Sequence, residues 1–207
     1  MALAVGDASG KGLEAAARTI TVNDALRAFL RSSRGADVAC VLARLNDFVC
    51  EGQDETEGVR FVTLALVILD TATGEAQFGS AGAEPPLIVR ANGAVEEVKA
   101  HGFPLGIAAG EVYQTRTVGL LPGDTVVLAT DGITEARRRD GEFLGYESLV
   151  ALAREAAGGA SPVEQAAHAI LEGVRAFAEG GLRDDVCLLL ARRCQGDQAL
   201  SDPLTNA

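Results

Sequence analysis

The chain predicts an α+β fold: a layered α-β-β-α sandwich with central antiparallel sheets and helix pairs outside them. Three observations lead there. The elements run strand, two helices, about six strands, two helices, strand, without βαβ alternation. The central strands are joined by tight turns, which only antiparallel neighbours can use. The hydrophobic period changes from helical to strand-like at Phe61 and back to helical at Tyr146.

The elements follow in order. Residues 2–6 read as a short buried strand. Gly12 to Ser32 is helical, with Leu13, Ala16, Ala17 and Ile20 on one face. A second helix runs from Ala36 to about Glu51, capped by Asp37, with Val38, Val41, Leu42, Leu45, Phe48 and Val49 at helical spacing. The acidic stretch 51–58 is a loop. Strands are expected at Phe61–Asp70, Ala76–Ala81, Pro86–Arg90, Val95–Val98, Tyr113–Val118 and Thr125–Thr130, with Asn92-Gly93 as a hairpin turn. Helices follow at Tyr146–Ala157 and Ser161–Glu179. The second opens on Ser161-Pro162-Val163-Glu164, a capping box with a first-turn proline, and its core stripe is Val163, Ala167, Ile170, Val174 and Phe177. Val186–Ala191 is the last strand, and 195–207 is expected to be a flexible tail.

Composition narrows the function. The length of 207 residues suits one domain, and 48% hydrophobic residues can fill a core without staples. Trp is absent and aromatics make up only 4%, so stacking surfaces for bases are scarce. A net charge of −11 argues against nucleic acid and anionic membranes as partners. No C-x-x-C pair occurs among Cys40, Cys50, Cys187 and Cys194, which argues against zinc; Cys40 and Cys187 lie on apolar patterns and read as core residues. With no apolar run long enough to span a bilayer and no leader-like start at residues 1–12, a reduced cytoplasm is expected.

Three carboxylates stand out because each sits where a strand meets a turn. Asp7 ends an apolar run and enters the Gly-rich segment Ala8-Ser9-Gly10-Lys11-Gly12. Asp131 follows Val126–Thr130 in a Thr-Asp-Gly turn. Asp184 and Asp185 precede Val186–Leu190, and along the pleat adjacent acids point opposite ways. Each alone reads as turn chemistry. Together they suit a hard cation such as Mg²⁺ or Mn²⁺, which takes oxygen ligands from converging chain ends. His101 reads as a loop residue. The run Arg137–Arg139 reads as a solvated turn, with steering of a phosphorylated protein as the functional alternative.

These residues lie in blocks that resemble the metal-dependent (PPM, type 2C) Ser/Thr protein phosphatases, in the bacterial branch of sporulation stage II protein E and the sigma-factor-regulating phosphatases. The blocks are Val5–Ala15, Phe61–Asp70 with Gly74, Ala81-Gly82 with Pro85-Pro86, Pro104–Gly106, Pro122–Ala136, Gly141–Gly145 and Arg183–Val186, spread over residues 4–193. The resemblance implies a phosphatase domain over 1–194 and a centre of two Mn²⁺ or Mg²⁺ ions. Asp7 would bridge both ions, the Ala8 carbonyl would bind the second, and Asp131 and Asp184 would complete the first. Gly132 would adjoin the site, Asp185 would orient water or ligand, and Ser9 and Gly10 would line the entrance. The implied substrate is phosphoserine or phosphothreonine on an anti-sigma-factor antagonist, hydrolysed by metal-activated water. Three departures appear. Ala83 stands where relatives usually have His, and Lys11 replaces a frequent His, a mild change. The family's strands before the first block, with a further acid for the second ion, are missing, so that ion keeps fewer ligands and the 2–6 strand keeps an open edge suited to a homodimer. A catalytically weak partner-binding domain is therefore the alternative expectation.

Overall fold

Residues 1–32, 37–53, 60–159, 161–178, 181–182 and 184–194 are described by the computed structural model, and they form two four-stranded antiparallel sheets. The first holds β1 (Ala2–Ala8), β2 (Val62–Leu69), β3 (Glu75–Ala81) and β6 (Arg116–Gly119) in that order. The second has the order β5 (Val95–Glu97), β4 (Leu87–Val89), β7 (Thr125–Ala129) and β8 (Leu188–Arg192). Helices α1 (Leu13–Ser32) and α2 (Val38–Glu51) cover the first sheet. Helices α4 (Tyr146–Ala157) and α5 (Val163–Phe177) cover the second, and the single turn α3 (Asp131–Thr134) follows β7.

The layering follows from the two-residue period of the strands. Leu64 and Leu66 of β2 face Val38, Leu42 and Leu45 of α2, while Ala65 and Val67 face inward. Val127 and Ala129 of β7 face the α4–α5 pair, while Val126 and Leu128 meet Ala65, Val67 and Phe78 between the sheets. The α-β-β-α sandwich expected from the sequence is thus the observed one.

Some local expectations need correction. The face of α1 assigned to the core is the solvent face: Leu13 is 87% and Ile20 62% exposed, and Ala16 and Ala17 are exposed too. Val22 and Leu26 are buried instead, with Ala25 and Phe29 packed beside them. The first strand extends past Gly6 to Ala8, which is what carries Asp7 within a strand. Only Arg116–Val118 of the expected Tyr113–Val118 strand pairs, with Gly119 added at its end, because Tyr113 turns into the α2 core and donates its hydroxyl to the Phe103 carbonyl. Helix α5 begins at Val163 with no side-chain cap, so Ser161 forms no capping box. Asp37 does cap α2, accepting from the Cys40 N–H at 2.8 Å. Cys40 and Cys187 are exposed rather than core residues, and all four cysteines are free. Ala36, the 54–58 part of the acidic loop, Arg183 and the 195–207 tail lie outside the described residues.

The end of the sandwich away from the acids is tied by a buried carboxylate. Asp124 is 1% exposed and accepts from Arg90 Nη1 and the Leu121 N–H, both at 2.8 Å, and from the Ala91 N–H at 3.0 Å. Burial alone would raise its pKa, but the Leu121, Arg90 and Ala91 donors outweigh it and hold the carboxyl below 3.8. Asp124→Ala is expected to cost about 2–3 kcal/mol in urea unfolding at neutral pH, because it leaves the Leu121 and Ala91 N–H groups without their acceptor and removes a buried partner of Arg90, which keeps Glu96 and the Gly119 carbonyl. In the wild type the same stabilisation is present above the unfolded pKa and is lost as pH falls through the lower folded pKa.

Candidate metal centre

Alternation along β1 places Asp7. Leu3 and Val5 face the layer between the sheets, so Asp7, two residues on, lies on that same face where the strand ends. Beyond Ala8 the chain must turn away sharply into α1, and Gly10 (φ 101°) and Gly12 (φ 79°) provide the left-handed backbone for it. Ser9 anchors the turn to the residue before β2. Its N–H donates to the Phe61 carbonyl and its Oγ accepts from the Phe61 N–H, each at 2.9 Å.

Asp131 and the 184–185 pair are brought together by the β7–β8 ladder, in which Ala129 lies opposite Leu188. Thr130 extends the pairing beyond the strands. Its N–H donates to the Cys187 carbonyl at 3.0 Å, while its Oγ1 accepts from the Cys187 N–H at 2.9 Å and donates to the Asp185 carbonyl at 3.2 Å. With that hydroxyl engaged across the gap, Thr130 gives α3 no side-chain cap, and Asp131 becomes the first helical residue. Gly132 then lies flat on the Asp185 backbone, where a Cβ would overlap the Asp185 carbonyl oxygen. Gly132→Ala must push α3 off the 184–187 segment. It is expected to cost about 1–3 kcal/mol, more than a surface control such as Gly119→Ala, where an added Cβ meets open space; urea melts of both variants check this.

The acids share one end of the sandwich and feel one another. Burial first, and then the Asp131 charge, raise the Asp7 pKa above 3.8; Asp184 and Asp185 add to the rise, and a hydrogen bond from the Ala8 N–H opposes it. Two cavities meet at Val5 and Gly6. One of about 300 Å³ is lined by Asp131, Thr130, Glu84 and Glu135; the other, of about 260 Å³, is lined by Asp7, Ala8 and Cys187. Asp184 and Asp185 are exposed at the rim, where the Asp184 carboxylate accepts the Asp185 N–H at 3.0 Å. Among the described residues, no three His, Cys, Asp or Glu side chains stand arranged around a single ion position. The donors nevertheless fit Mn²⁺ or Mg²⁺: they are all oxygen, mostly anionic, and their repulsion at Asp7 is the kind a divalent cation relieves.

Sequence reasoning missed Glu84 and Glu135. Glu84 accepts the Thr134 hydroxyl at 2.5 Å, and Thr134 is also hydrogen-bonded to the Asp131 carbonyl at 3.2 Å. Glu135 lies within the block Pro122–Ala136 and Glu84 between Gly82 and Pro85, and that nearness to the family blocks is the one signal that could have found them. The Arg137–Arg139 run is mostly committed elsewhere. Arg137 stacks on Phe143 at 4.1 Å and Arg138 on Phe177 at 4.6 Å, with Arg138 also paired to Glu142 at 2.6 Å. These contacts hold the 137–143 turn and favour the structural reading over steering. His101 is exposed in a loop, as expected.

The family model described as stage II sporulation protein E (SpoIIE) matches residues 1–194. The chain belongs to the SpoIIE family. Its fold is also that of solved type 2C phosphatase domains. Within that setting, the phosphoserine phosphatase RsbU of Bacillus subtilis (strain 168) is 27% identical over 192 residues, covering 92% of this chain and 55% of RsbU. The crystal structure of the RsbU and RsbW domains of Rv1364c from Mycobacterium tuberculosis is 30% identical with a TM-score of 0.75, covering 93% of this chain and 51% of that one. The SiaA-PP2C domain of Pseudomonas aeruginosa has a TM-score of 0.80 at 22% identity, over 92% of this chain and 75% of that one, and shares the SpoIIE-domain fold. The chain spans about half the length of RsbU and of the Rv1364c chain.

Proposed function

We propose that this SpoIIE-family domain is a metal-dependent protein Ser/Thr phosphatase that hydrolyses phosphoserine or phosphothreonine on a regulatory protein of the anti-sigma-factor antagonist type. The observation that supports the reading is the placement of Asp7 at the end of β1 and Asp131 at the start of α3, lining two cavities that share Val5 and Gly6. RsbU, a phosphoserine phosphatase 27% identical to the chain, supports the substrate class. The partner-binding alternative draws no comparable support.

In this reading Asp7, the Ala8 carbonyl, Asp131 and Asp184 hold Mn²⁺ or Mg²⁺, with two ions expected. The ions supply Lewis acidity toward the phosphoryl oxygens and activation of the attacking water. The chain's own part is positional. Asp7 is held in a strand, Asp131 at a helix start, and Gly132 seats that helix against Asp185. Asp185 stands at the rim, free to orient water or ligand. Ser9 is fixed by Phe61, and Gly10, with open space around its Cα, leaves the entrance clear for a phosphorylated side chain. A homodimer would draw on β1, which ends the sheet order on its side. Free cysteines fit a cytoplasmic location. No helix among the described residues is long and apolar enough to cross a membrane.

Phosphate release from a phosphoserine peptide should require Mn²⁺ or Mg²⁺, stop in EDTA, return when metal is restored, and exceed release from nucleotides. Undiminished turnover in EDTA would overturn the reading.

A further inference from the structure

Helix α1 is attached to the body unevenly. Its apolar anchoring begins at Val22, and the residues before it expose Leu13 and Ile20. Over those first turns the helix is held through polar groups. Arg18 Nη1 donates to the Ser9 carbonyl oxygen at 2.9 Å, and Glu14 pairs with Arg60 at 3.1 Å. Arg60 precedes Phe61, whose backbone takes up both the N–H and the Oγ of Ser9. The Ser9 carbonyl is the polar group of that residue left over, and Arg18 occupies it. The next residue is Gly10, in left-handed backbone and with open space where a Cβ would stand, so the peptide that follows Ser9 would swing without this bond. That peptide lies two residues from Asp7 and one from the Ala8 carbonyl. A cavity of about 580 Å³ between α1 and α2 borders Arg18, so shortening the side chain opens no packed core.

We propose that Arg18 is a positioning residue: it holds the Asp7–Ser9 turn in the form that binds the ion and so couples α1 to the metal centre. This rests on the metal-dependent reading of that centre. A guanidinium suits the role because it is permanently charged and rigid, and its bond to a neutral carbonyl adds no anion to an already acidic site.

The test compares wild type, Arg18→Ala and Arg18→Lys in direct Mn²⁺ binding by calorimetry, in Mn²⁺-dependent phosphopeptide turnover, and in metal-free hydrogen exchange. Arg18→Ala should weaken Mn²⁺ binding and raise the Mn²⁺ concentration for half-maximal turnover by about tenfold or more. Saturating Mn²⁺ should restore turnover to near the wild-type level, and Arg18→Lys should fall between. Without metal, amides of residues 8–12 should exchange faster in Arg18→Ala, while those pairing β2 with β3 stay unchanged. If the wild type binds Mn²⁺ and Arg18→Ala binds it equally well, the Arg18 assignment is overturned alone. A turnover loss that saturating Mn²⁺ leaves in place, with a lowered melting temperature, also overturns it by showing a purely structural role. A wild type that binds no Mn²⁺ overturns the functional reading itself, and the coupling with it.

Discussion

Asp131→Asn is expected to lower Mn²⁺-dependent phosphopeptide hydrolysis by about 10³-fold, since ion-borne charge stabilisation is worth several kcal/mol and each 1.36 kcal/mol is tenfold. The fold should survive. Asp131 is exposed, it opens a single helical turn, and asparagine matches it in size and is tolerated at a helix start. What the variant loses is the largest charged neighbour of Asp7, so the Asp7 carboxyl should return toward its ordinary value. Turnover measured across a Mn²⁺ titration, with far-UV circular dichroism as the folding control, checks both parts. A folded variant with wild-type turnover would remove Asp131 from the centre.

Asp7→Asn should have an equally large effect on activity and should raise the stability of the metal-free fold. Its carboxylate is desolvated and surrounded by like charges, so the metal-free fold carries repulsion there. The native state holds the Asp7 proton more tightly than the unfolded chain does. The contribution of this group to stability is therefore fully present below the unfolded value near 3.8 and is lost as pH rises through the higher native pKa. Removing the charge removes that loss. Metal-free Asp7→Asn should melt above the wild type at neutral pH, with no activity, and Mn²⁺ should raise the melting temperature of the wild type far more than that of the variant. Thermal melts with and without Mn²⁺, from acid to neutral pH, make the comparison. A variant that melts below the wild type without metal would contradict the electrostatic account. Selection for a function that gathers charge, at a cost in stability, is a familiar trade.

Much of this was legible in the sequence because periodicity reports burial. The inward alternation of β2 and β7, the apolar stripe of α2 and the Asn92-Gly93 hairpin all follow from side-chain direction, and they are enough to specify the sandwich. Periodicity failed at α1 because that helix carries apolar residues on two faces. Leu13 and Ile20 follow one stripe and Val22, Leu26 and Phe29 another; only the second meets a sheet. The strand-end positions of Asp7 and Asp131 were readable from the runs before them. Their neighbours were not. Glu84 and Glu135 are placed by the meeting of the two sheets, and Gly132 needs no side chain because of the Asp185 backbone 53 residues further on. Long-range contacts of that kind leave no local pattern. The role of Thr130 was hidden for the same reason, since its hydroxyl reaches across the β7–β8 gap instead of capping the helix it precedes.

The central claim is that these carboxylates form one cation-binding cleft, and anomalous diffraction from crystals grown with Mn²⁺ tests it most directly. The account predicts a manganese peak at the end of the sandwich, within coordinating distance of the Asp7 and Asp131 carboxylates and with Asp184 at its edge. Manganese found only elsewhere on the surface, with Asp7 and Asp131 still apart, would contradict it.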